Sequence, residues 1–394
     1  MSQELVNHNT DLRRLVEKGH AVAIDGGYLI IRDIPYLNSQ KALEWGAFVA
    51  KLEFVDNLTV RPDDHQIWFA GSVPYGLDGK PIPNLGGGPQ SLALGETSKD
   101  IIVQRRFSNK PKGTGKFSDF FDKIISYTTI ISGPAMELHN VDPYTFRSVQ
   151  VMSESVFKFH DTLTSRAEIT DLAANFSNDT IAVIGLGGTG AYLLDLLVKT
   201  PVREIRAFDF DSYKVHNAYR SPGRIHEHEL GQPKANVYLD RYNNFRHGLT
   251  IRHRAVDSGS SADLEGVTFA FVCVDKGSAR AEIFDILISK RIPFIDVGMG
   301  LDRKRGLISG MIRVTYYSVE NAQKQRDMAL AEMSDNPDDV YRSNIQIGEI
   351  NALNACLAVV RYKQIRGFYF EETPYYQLLL VLGDLKITGE SEFE

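Results

Sequence analysis

The chain has 394 residues, of which 43% are hydrophobic and 24% charged, and its formal net charge at pH 7 is −6. These values are ordinary for a soluble globular protein, and the length accommodates two domains with separate cores. The acidic balance argues against nucleic-acid binding, and no stretch approaches the ~20 apolar residues of a membrane helix. With two cysteines only, neither a disulfide framework nor a cysteine-based zinc site is expected, and a reducing cytoplasm is the expected compartment.

Residues 1–145 are predicted to form a smaller α+β domain. The expected strands are Tyr28–Ile31, Gln66–Ala70 and Ile101–Val103, and the expected helix is Phe117–Ser126. A region rich in proline and glycine separates the second and third strands. His65 follows Asp63 and Asp64, and we interpret the three as a polar turn before a strand rather than as a catalytic group. We expect this domain to recruit a protein substrate or a carrier.

Residues 146–394 are predicted to form the second domain. Its first segment, 146–175, is polar and amphipathic, which indicates a helix. Strands and helices then alternate, which predicts a Rossmann-like, mostly parallel sheet with helices on both faces. The expected strands are Ile181–Ile184, Glu204–Phe208, Thr268–Val274 and Pro293–Val297, with one or two more within Gly306–Tyr317. A long closing helix is expected at Glu349–Arg366.

A glycine turn follows the first of these strands. Its glycines are Gly185, Gly187, Gly188 and Gly190. Backbone N–H groups at such a turn can approach a phosphate at a helix N-terminus, where the helix dipole favours negative charge. Asp209 lies 19 residues after Gly190, at a strand end where a carboxylate suits a ribose hydroxyl. The pattern predicts a nucleotide site and is compatible with an ATP enzyme or with a nicotinamide or flavin oxidoreductase.

Charged and polar residues downstream of Asp209 distinguish these chemistries. The residues are Asp211, Asn217, Arg220, Lys234 and Asp275. Nucleotidyl transfer needs cations on phosphate oxygens and a carboxylate on Mg²⁺, whereas hydride transfer needs neither. Asp211 is also compatible with a turn-forming role. Arg280, on the helix after Asp275, is compatible with simple pairing to a carboxylate.

With these residues in this order, the segment 165–370 resembles the ubiquitin-activating-enzyme-like adenylyltransferases of the ThiF/MoeB superfamily. The family pattern is a doubled-glycine turn, an Asp-x-Asp pair, an Asn followed by an Arg, a Lys further on, and an Asp at a later strand end. The resemblance implies ATP-dependent adenylation of the C-terminal carboxylate of a ubiquitin-like protein. It also implies a homodimer, with ATP and Mg²⁺ at each nucleotide site.

The resemblance also implies a role for each matching residue. The implied pocket residues are Gly185, Gly187, Gly188, Gly190, Asp209, Asp211 and Asn217. Among these, Asp209 would hold the ribose. Arg220 and Lys234 would bind the phosphates and stabilise charge during transfer, and Asp275 would coordinate Mg²⁺. Arg166, on a helix before the first strand, matches an arginine that reaches the neighbouring protomer's site.

The chain departs from the family pattern in its cysteines. Many members carry a nucleophilic cysteine in the crossover before the last helix, but residues 318–346 contain none. Cys273 and Cys356 lie in an apolar strand and an apolar helix, and both are expected in the core. The acyl-adenylate is therefore expected to pass to a partner's nucleophile, such as a conjugating-enzyme-like carrier, because an unactivated serine is a poor nucleophile. The hydroxyls that would otherwise form an oxyester are those of Ser318, Ser334 and Ser343.

Three further functions stay open at this point. The same fold can adenylate a small molecule or a tRNA base, although no basic surface is evident in the sequence. A nicotinamide or flavin oxidoreductase shares the glycine turn and Asp209. A non-catalytic half of a heterodimer would keep the fold, but the intact set of phosphate-site residues argues against it.

Overall fold

The computed structural model describes residues 2–94, 98–111, 113, 115–147, 155–159, 161, 163–164, 167, 169–335 and 345–391. The chain divides into two compact units, Met1–Ile169 and Thr170–Glu394. The domain boundary at residue 145 stays a prediction. Part of the predicted helical segment 146–175, including Arg166, lies outside the described residues, and a short helix is present at Thr170–Ala174.

The first unit combines a few helices with an antiparallel sheet. Its described helices are α1 (Ser2–His8), α2 (Thr10–Glu17) and α3 (Phe120–His139). Its strands are β1 (Ala21–Asp25), β2 (Tyr28–Leu37), β3 (Leu43–Phe54), β4 (Val60–Pro62), β5 (Gln66–Ala70), β6 (Leu92–Ala93), β7 (Ile102–Val103) and β8 (Arg105–Ser108). The sheet order is β1-β2-β3-β5-β8, with β4 paired to β3, and β6 and β7 form a separate ribbon.

Local sequence accounts for much of this sheet. Gly26 and Gly27, with φ of 55° and 81°, form the tight turn between β1 and β2, as expected for a two-residue hairpin loop. The helix α3 starts after Asp119, whose carboxylate accepts a hydrogen bond from the backbone of Asp122. The strand Gln66–Ala70 is confirmed, and the predicted helix begins at Phe120 rather than at residue 117 and continues to residue 139.

The second unit is an α/β layer structure. Its described helices are α4 (Thr170–Ala174), α5 (Gly188–Val198), α6 (Val215–Ala218), α7 (Lys234–Tyr242), α8 (Gly277–Ser289), α9 (Ala322–Asp327) and α10 (Gly348–Ile365), with 3-10 turns at Glu227–Glu229 and Ser258–Leu264. Its strands are β9 (Thr180–Ile184), β10 (Glu204–Phe208), β11 (Leu249–Arg252), β12 (Phe269–Val272), β13 (Phe294–Lys304), β14 (Leu307–Tyr317), β15 (Tyr375–Val381) and β16 (Lys386–Ser391).

The eight strands form one sheet in the order β11-β10-β9-β12-β13-β14-β15-β16. The pairs from β11 to β13 are parallel, and the pairs from β13 to β16 are antiparallel. The chain leaves β9 on one side to form β10 and returns on the other side as β12. This reversal creates the crevice beyond the carboxyl ends of β9 and β12 in which such sheets bind ligands.

Helices cover both faces of this sheet, as predicted. One core cluster contains Leu193 and Leu197 of α5 with Tyr362 of α10, and the other contains Phe284 and Leu287 of α8. The predicted fold class is confirmed, and so is the strand Glu204–Phe208. None of the described helices is long and apolar enough to cross a membrane.

Candidate functional site

The glycine turn lies between the carboxyl end of β9 and the first turn of α5. Gly185 has φ of 93°, a conformation that favours glycine. A Cβ atom at Gly190 would lie 1.9 Å from the carbonyl oxygen of Gly185, and one at Gly188 would lie 2.4 Å from Nδ2 of Asn351. Only glycine fits at these two positions, and the first N–H groups of α5 face the crevice without intrahelical partners.

Asp209 fastens this turn to the next strand. It is buried directly after β10, and its Oδ2 accepts a hydrogen bond of 2.7 Å from the backbone N–H of Leu186. Its Oδ1 accepts a bond of 2.9 Å from the backbone N–H of Asp211. Because each carboxylate oxygen has two lone pairs, Asp209 keeps acceptor capacity for a hydroxyl group.

Lys234 places a cation beside these two carboxylates. It is the first residue of α7 and is only 5% exposed. Its Nζ donates to Oδ2 of Asp211 at 2.9 Å and lies 3.4 Å from Oδ1 of Asp209. The two carboxylates offset the cost of burying the ammonium at a helix N-terminus, where the dipole disfavours a cation. Lys234 is therefore held at the mouth of the glycine turn.

Arg220 and Asp275 lie close enough to each other to interact electrostatically. Burial lowers the pKa of the Arg220 guanidinium, and the Asp275 carboxylate partly offsets this by raising it. Nε of Arg220 is buried and has no hydrogen-bond partner among the described residues. Burial also lowers the pKa of His216, and the nearby charges of Arg220, Lys214 and Lys234 lower it further. Arg220 and Lys234 therefore share one electrostatic neighbourhood.

Asn217 has a local structural contact. Its side chain is buried, and its Oδ1 accepts a hydrogen bond of 2.7 Å from the backbone N–H of Lys214, which caps the short helix α6. This cap orients the turn that leads into Arg220. Arg280 pairs with a carboxylate, that of Asp296, as the sequence suggested.

The cysteine prediction is correct for one residue and wrong for the other. Cys273 is half-buried and packs against the core, and burial raises the pKa of its thiol well above the usual value, which keeps it protonated and unreactive. Cys356, predicted in the core, is exposed on α10. The helix buries Ala355, Ala358 and Tyr362 instead, so Cys356 falls on its outer face.

The serines considered as acyl acceptors are in different environments. Ser318 is buried, and its Oγ accepts a hydrogen bond from the backbone N–H of Asn321. Ser334 is exposed, with its backbone close against Gly277 at the start of α8. Ser343 lies outside the described residues.

Two groups of contacts around the site were not predicted from sequence. Asn351 of α10 is fully buried, and its Oδ1 accepts a bond of 2.9 Å from Oγ1 of Thr189 in the first turn of α5. Arg241 of α7 forms a two-bond ion pair with Glu229, at 3.0 and 2.7 Å, and donates to the carbonyl oxygen of Pro222. The pair braces the loop between Arg220 and Lys234. For the first contact, the sequence analysis identified only Gly188, beside which Asn351 packs. The burial of Asn351 is visible only in the structure.

In the first unit, the polar turn formed by Asp63, Asp64 and His65 has structural contacts. His65 precedes β5, and its Nε2 lies 3.0 Å from Oγ of Ser108. Its carbonyl oxygen accepts a hydrogen bond from the hydroxyl of Tyr127, and that of Asp64 accepts one from Nζ of the buried Lys123. Side chains of α3 thus anchor the turn.

The residues around the crevice fit ATP with Mg²⁺. The orphaned Nε of Arg220 is a donor without an acceptor, and the first turn of α5 offers free N–H groups, both of which suit phosphate oxygens. Among the described residues, no group of three or more His, Cys, Asp or Glu is arranged to hold a metal ion. Mg²⁺ commonly takes one or two carboxylates together with substrate phosphates, so a single carboxylate such as that of Asp275 is compatible with such an ion.

Comparison with known proteins identifies the family. Residues 165–359 match the ThiF family model. This protein contains a ThiF family domain. Residues 10–162, ahead of the ThiF domain, match a domain of unknown function, DUF6791. The ThiF assignment supports an adenylating enzyme that uses ATP on a carboxylate.

Solved structures with partial similarity were also found. PaaA is 17% identical, with 57% of this chain and 76% of that chain covered and a TM-score of 0.43. MccB of E. coli with AMPCPP and MccA is 15% identical, with 59% and 72% covered and a TM-score of 0.45. MccB of E. coli with ATP is 15% identical, with 59% and 72% covered and a TM-score of 0.44. No curated protein matches the chain.

Proposed function

We propose that this protein uses ATP and Mg²⁺ to adenylate the C-terminal carboxylate of a ubiquitin-like protein. The observation that supports the proposal is the contact of Lys234 with Asp209, which holds the glycine turn of the ThiF domain; the electrostatic interaction of Arg220 with Asp275 adds to it. Cations beside a polyphosphate site stabilise the charge that develops in nucleotidyl transfer, whereas the hydride-transfer step does not need them. The match to the ThiF family model independently favours adenylation over the oxidoreductase alternative.

The proposed reaction is a displacement at the α-phosphorus of ATP. An oxygen of the partner's carboxylate attacks that phosphorus, the bond from phosphorus to the bridging oxygen breaks, and pyrophosphate leaves. Lys234 and Arg220 stabilise the negative charge that develops on the phosphate oxygens, and Asp209 holds the ribose. Asp275 would hold Mg²⁺, which supplies further charge neutralisation on the phosphates when bound.

The acyl-adenylate then passes to a nucleophile outside this chain. Cys273 has a raised pKa and cannot supply a thiolate. A conjugating-enzyme-like carrier is the proposed acceptor, and the first unit is the proposed recruitment domain. We also propose that the protein is a homodimer and that it is cytoplasmic. Size-exclusion chromatography with light scattering would test the oligomeric state.

ATP–pyrophosphate exchange tests the proposal directly. The partner to test is any small protein that ends in Gly-Gly and is encoded beside this gene. Exchange should require that partner and Mg²⁺, and Arg220→Ala should slow it about a hundredfold or more. Arg203→Ala is the matched control, because Arg203 is exposed at the opposite, amino-terminal edge of the sheet, where it donates a hydrogen bond to Oγ1 of Thr180.

Two outcomes would contradict the proposal. Exchange that is unaffected by Arg220→Ala or by Asp275→Ala would remove the phosphate and metal assignments. Exchange that proceeds with a free small carboxylic acid or with tRNA, and not with any protein carboxylate, would assign the same chemistry to a different substrate.

A further inference from the structure

Arg280 joins three separate segments behind the proposed site. It lies buried in α8, and its Nε donates to Oδ1 of Asp296 on β13 at 3.1 Å. Its Nη2 donates to the carbonyl oxygen of Val274 at 2.5 Å, and its Nη1 to that of Glu332 at 2.8 Å. The Val274 carbonyl belongs to the peptide bond that leads into Asp275. One guanidinium therefore connects the residue before Asp275, a core strand and the middle of the crossover.

Asp296 is itself held from a second side. It is fully buried, and its Oδ2 accepts a bond of 2.5 Å from Nη2 of Arg313 on β14. Arg313 also donates to Oγ1 of Thr315 at 2.7 Å. Desolvating such a set of charges is costly, and apolar side chains of similar volume often stabilise a core as well or better. Stability alone therefore does not account for this arrangement directly behind Asp275.

The crossover is also fastened on the far side of Asp275. The backbone N–H and the hydroxyl of Ser278, in the first turn of α8, donate to the two oxygens of Asp335 at 3.1 and 2.6 Å. These bonds lower the pKa of Asp335, which keeps it charged. Gly277 permits the close approach, since a Cβ atom there would lie 2.4 Å from the carbonyl oxygen of Ser334. The loop that carries Asp275 is thus fixed at both ends.

We propose that Arg280 is a positioning residue that orients Asp275 toward the Mg²⁺ of the bound nucleotide. The inference rests on the proposed function, because it assumes that Asp275 is the metal ligand. Groups that orient a metal ligand typically contribute tenfold to a hundredfold in metal affinity or activity. Arg280 acts through the backbone of Val274 and contacts neither nucleotide nor partner.

The chain offers a matched control at the opposite edge of the same sheet. Arg366 forms a two-bond ion pair with the buried Asp179, at 2.7 and 3.0 Å, close to the amino end of β9. It also lies 3.5 Å from the carbonyl oxygen of Thr268. Arg366→Lys therefore disturbs a comparable buried pair and leaves the carboxyl edge of the sheet intact.

The experiment measures binding of the non-hydrolysable analogue AMPCPP to the full chain by calorimetry, with and without Mg²⁺. Arg280→Lys keeps the charge next to Asp296 but cannot reach both carbonyl oxygens. We expect it to reduce the Mg²⁺-dependent gain in affinity about tenfold while metal-free binding stays unchanged. Arg366→Lys should keep the wild-type gain. An unchanged gain in Arg280→Lys, or an equal loss with and without Mg²⁺, would overturn the proposal.

Two further variants keep the result interpretable. Asp296→Asn replaces Arg280→Lys if the latter does not fold, and the same loss of the Mg²⁺-dependent gain is expected from it. Asp275→Ala distinguishes the metal-ligand role of Asp275 from the positioning role of Arg280. If Asp275→Ala keeps the gain, the metal assignment in the proposed function is wrong. If it loses the gain and Arg280→Lys does not, the positioning role of Arg280 alone is refuted.

Discussion

His20 gives the first unit a specific acid sensitivity. Its imidazole is 1% exposed, and neither ring nitrogen has a hydrogen-bond partner among the described residues. The ring lies edge-on to that of Tyr144, with 5.1 Å between ring centroids. Burial, together with a smaller effect of the nearby charge of Lys18, lowers the pKa of His20 from 6.5 to about 4. The folded protein therefore holds His20 neutral at pH values where the unfolded chain protonates it.

The sign and size of the effect follow from this difference. Because the unfolded chain binds the extra proton, the free energy of unfolding falls as the pH drops below 6.5, and the loss is complete below about 4. A full difference of this size corresponds to about 3 kcal/mol. Between pH 7.5 and 5.0, where only part of the titration occurs, the expected loss is about 2 kcal/mol.

The assay is urea unfolding followed by tryptophan fluorescence. The two tryptophans of the chain, Trp45 and Trp68, both lie in the first unit, so the signal reports on that unit. His20→Phe should remove about 2 kcal/mol of the pH dependence between pH 7.5 and 5.0, whereas His139→Gln, at an exposed histidine, should keep it. Parallel pH curves for the wild type and His20→Phe would refute the reasoning.

Three further outcomes are expected. Gly190→Ala should abolish AMPCPP binding in calorimetry, because its Cβ would lie 1.9 Å from the carbonyl oxygen of Gly185; retained binding would show that the turn can open. Native alkylation followed by mass spectrometry should label Cys356 and spare Cys273, and the reverse pattern would contradict the burial. Arg246→Met should lower the free energy of unfolding by about 3 kcal/mol, since this buried guanidinium donates to four main-chain carbonyl oxygens, three of them at or just after the end of α5; an unchanged denaturation midpoint would refute this.

Short-range patterns predicted the parallel half of the second unit well. The strand Glu204–Phe208 and the glycine turn depend on local residues, namely apolar strand formers and positions that admit only glycine. The antiparallel half was harder to predict. Strand β16 is exposed along its whole length, so it lacks a buried face that would produce an apolar pattern. Its pairing with β15, a tertiary contact, explains why it is a strand.

The errors around the site also have a physical origin. Helix α10 carries apolar residues on several faces, so the sequence did not show that Cys356 points outward while Ala355 is buried. The contacts of Arg280 reach a main-chain carbonyl 52 residues away. Backbone acceptors carry no residue-type signature, and a single sequence therefore cannot predict such a contact.

The salt bridges of Lys234 have a consequence for ligand choice. In the proposed function, an incoming nucleotide draws the ammonium away from Asp211 and Asp209, so that one anionic partner replaces another. Adenosine carries no negative charge to replace the carboxylates, whereas a triphosphate does. The proposed site would therefore select first for the charge of the polyphosphate tail, before the base or the acyl partner is recognised.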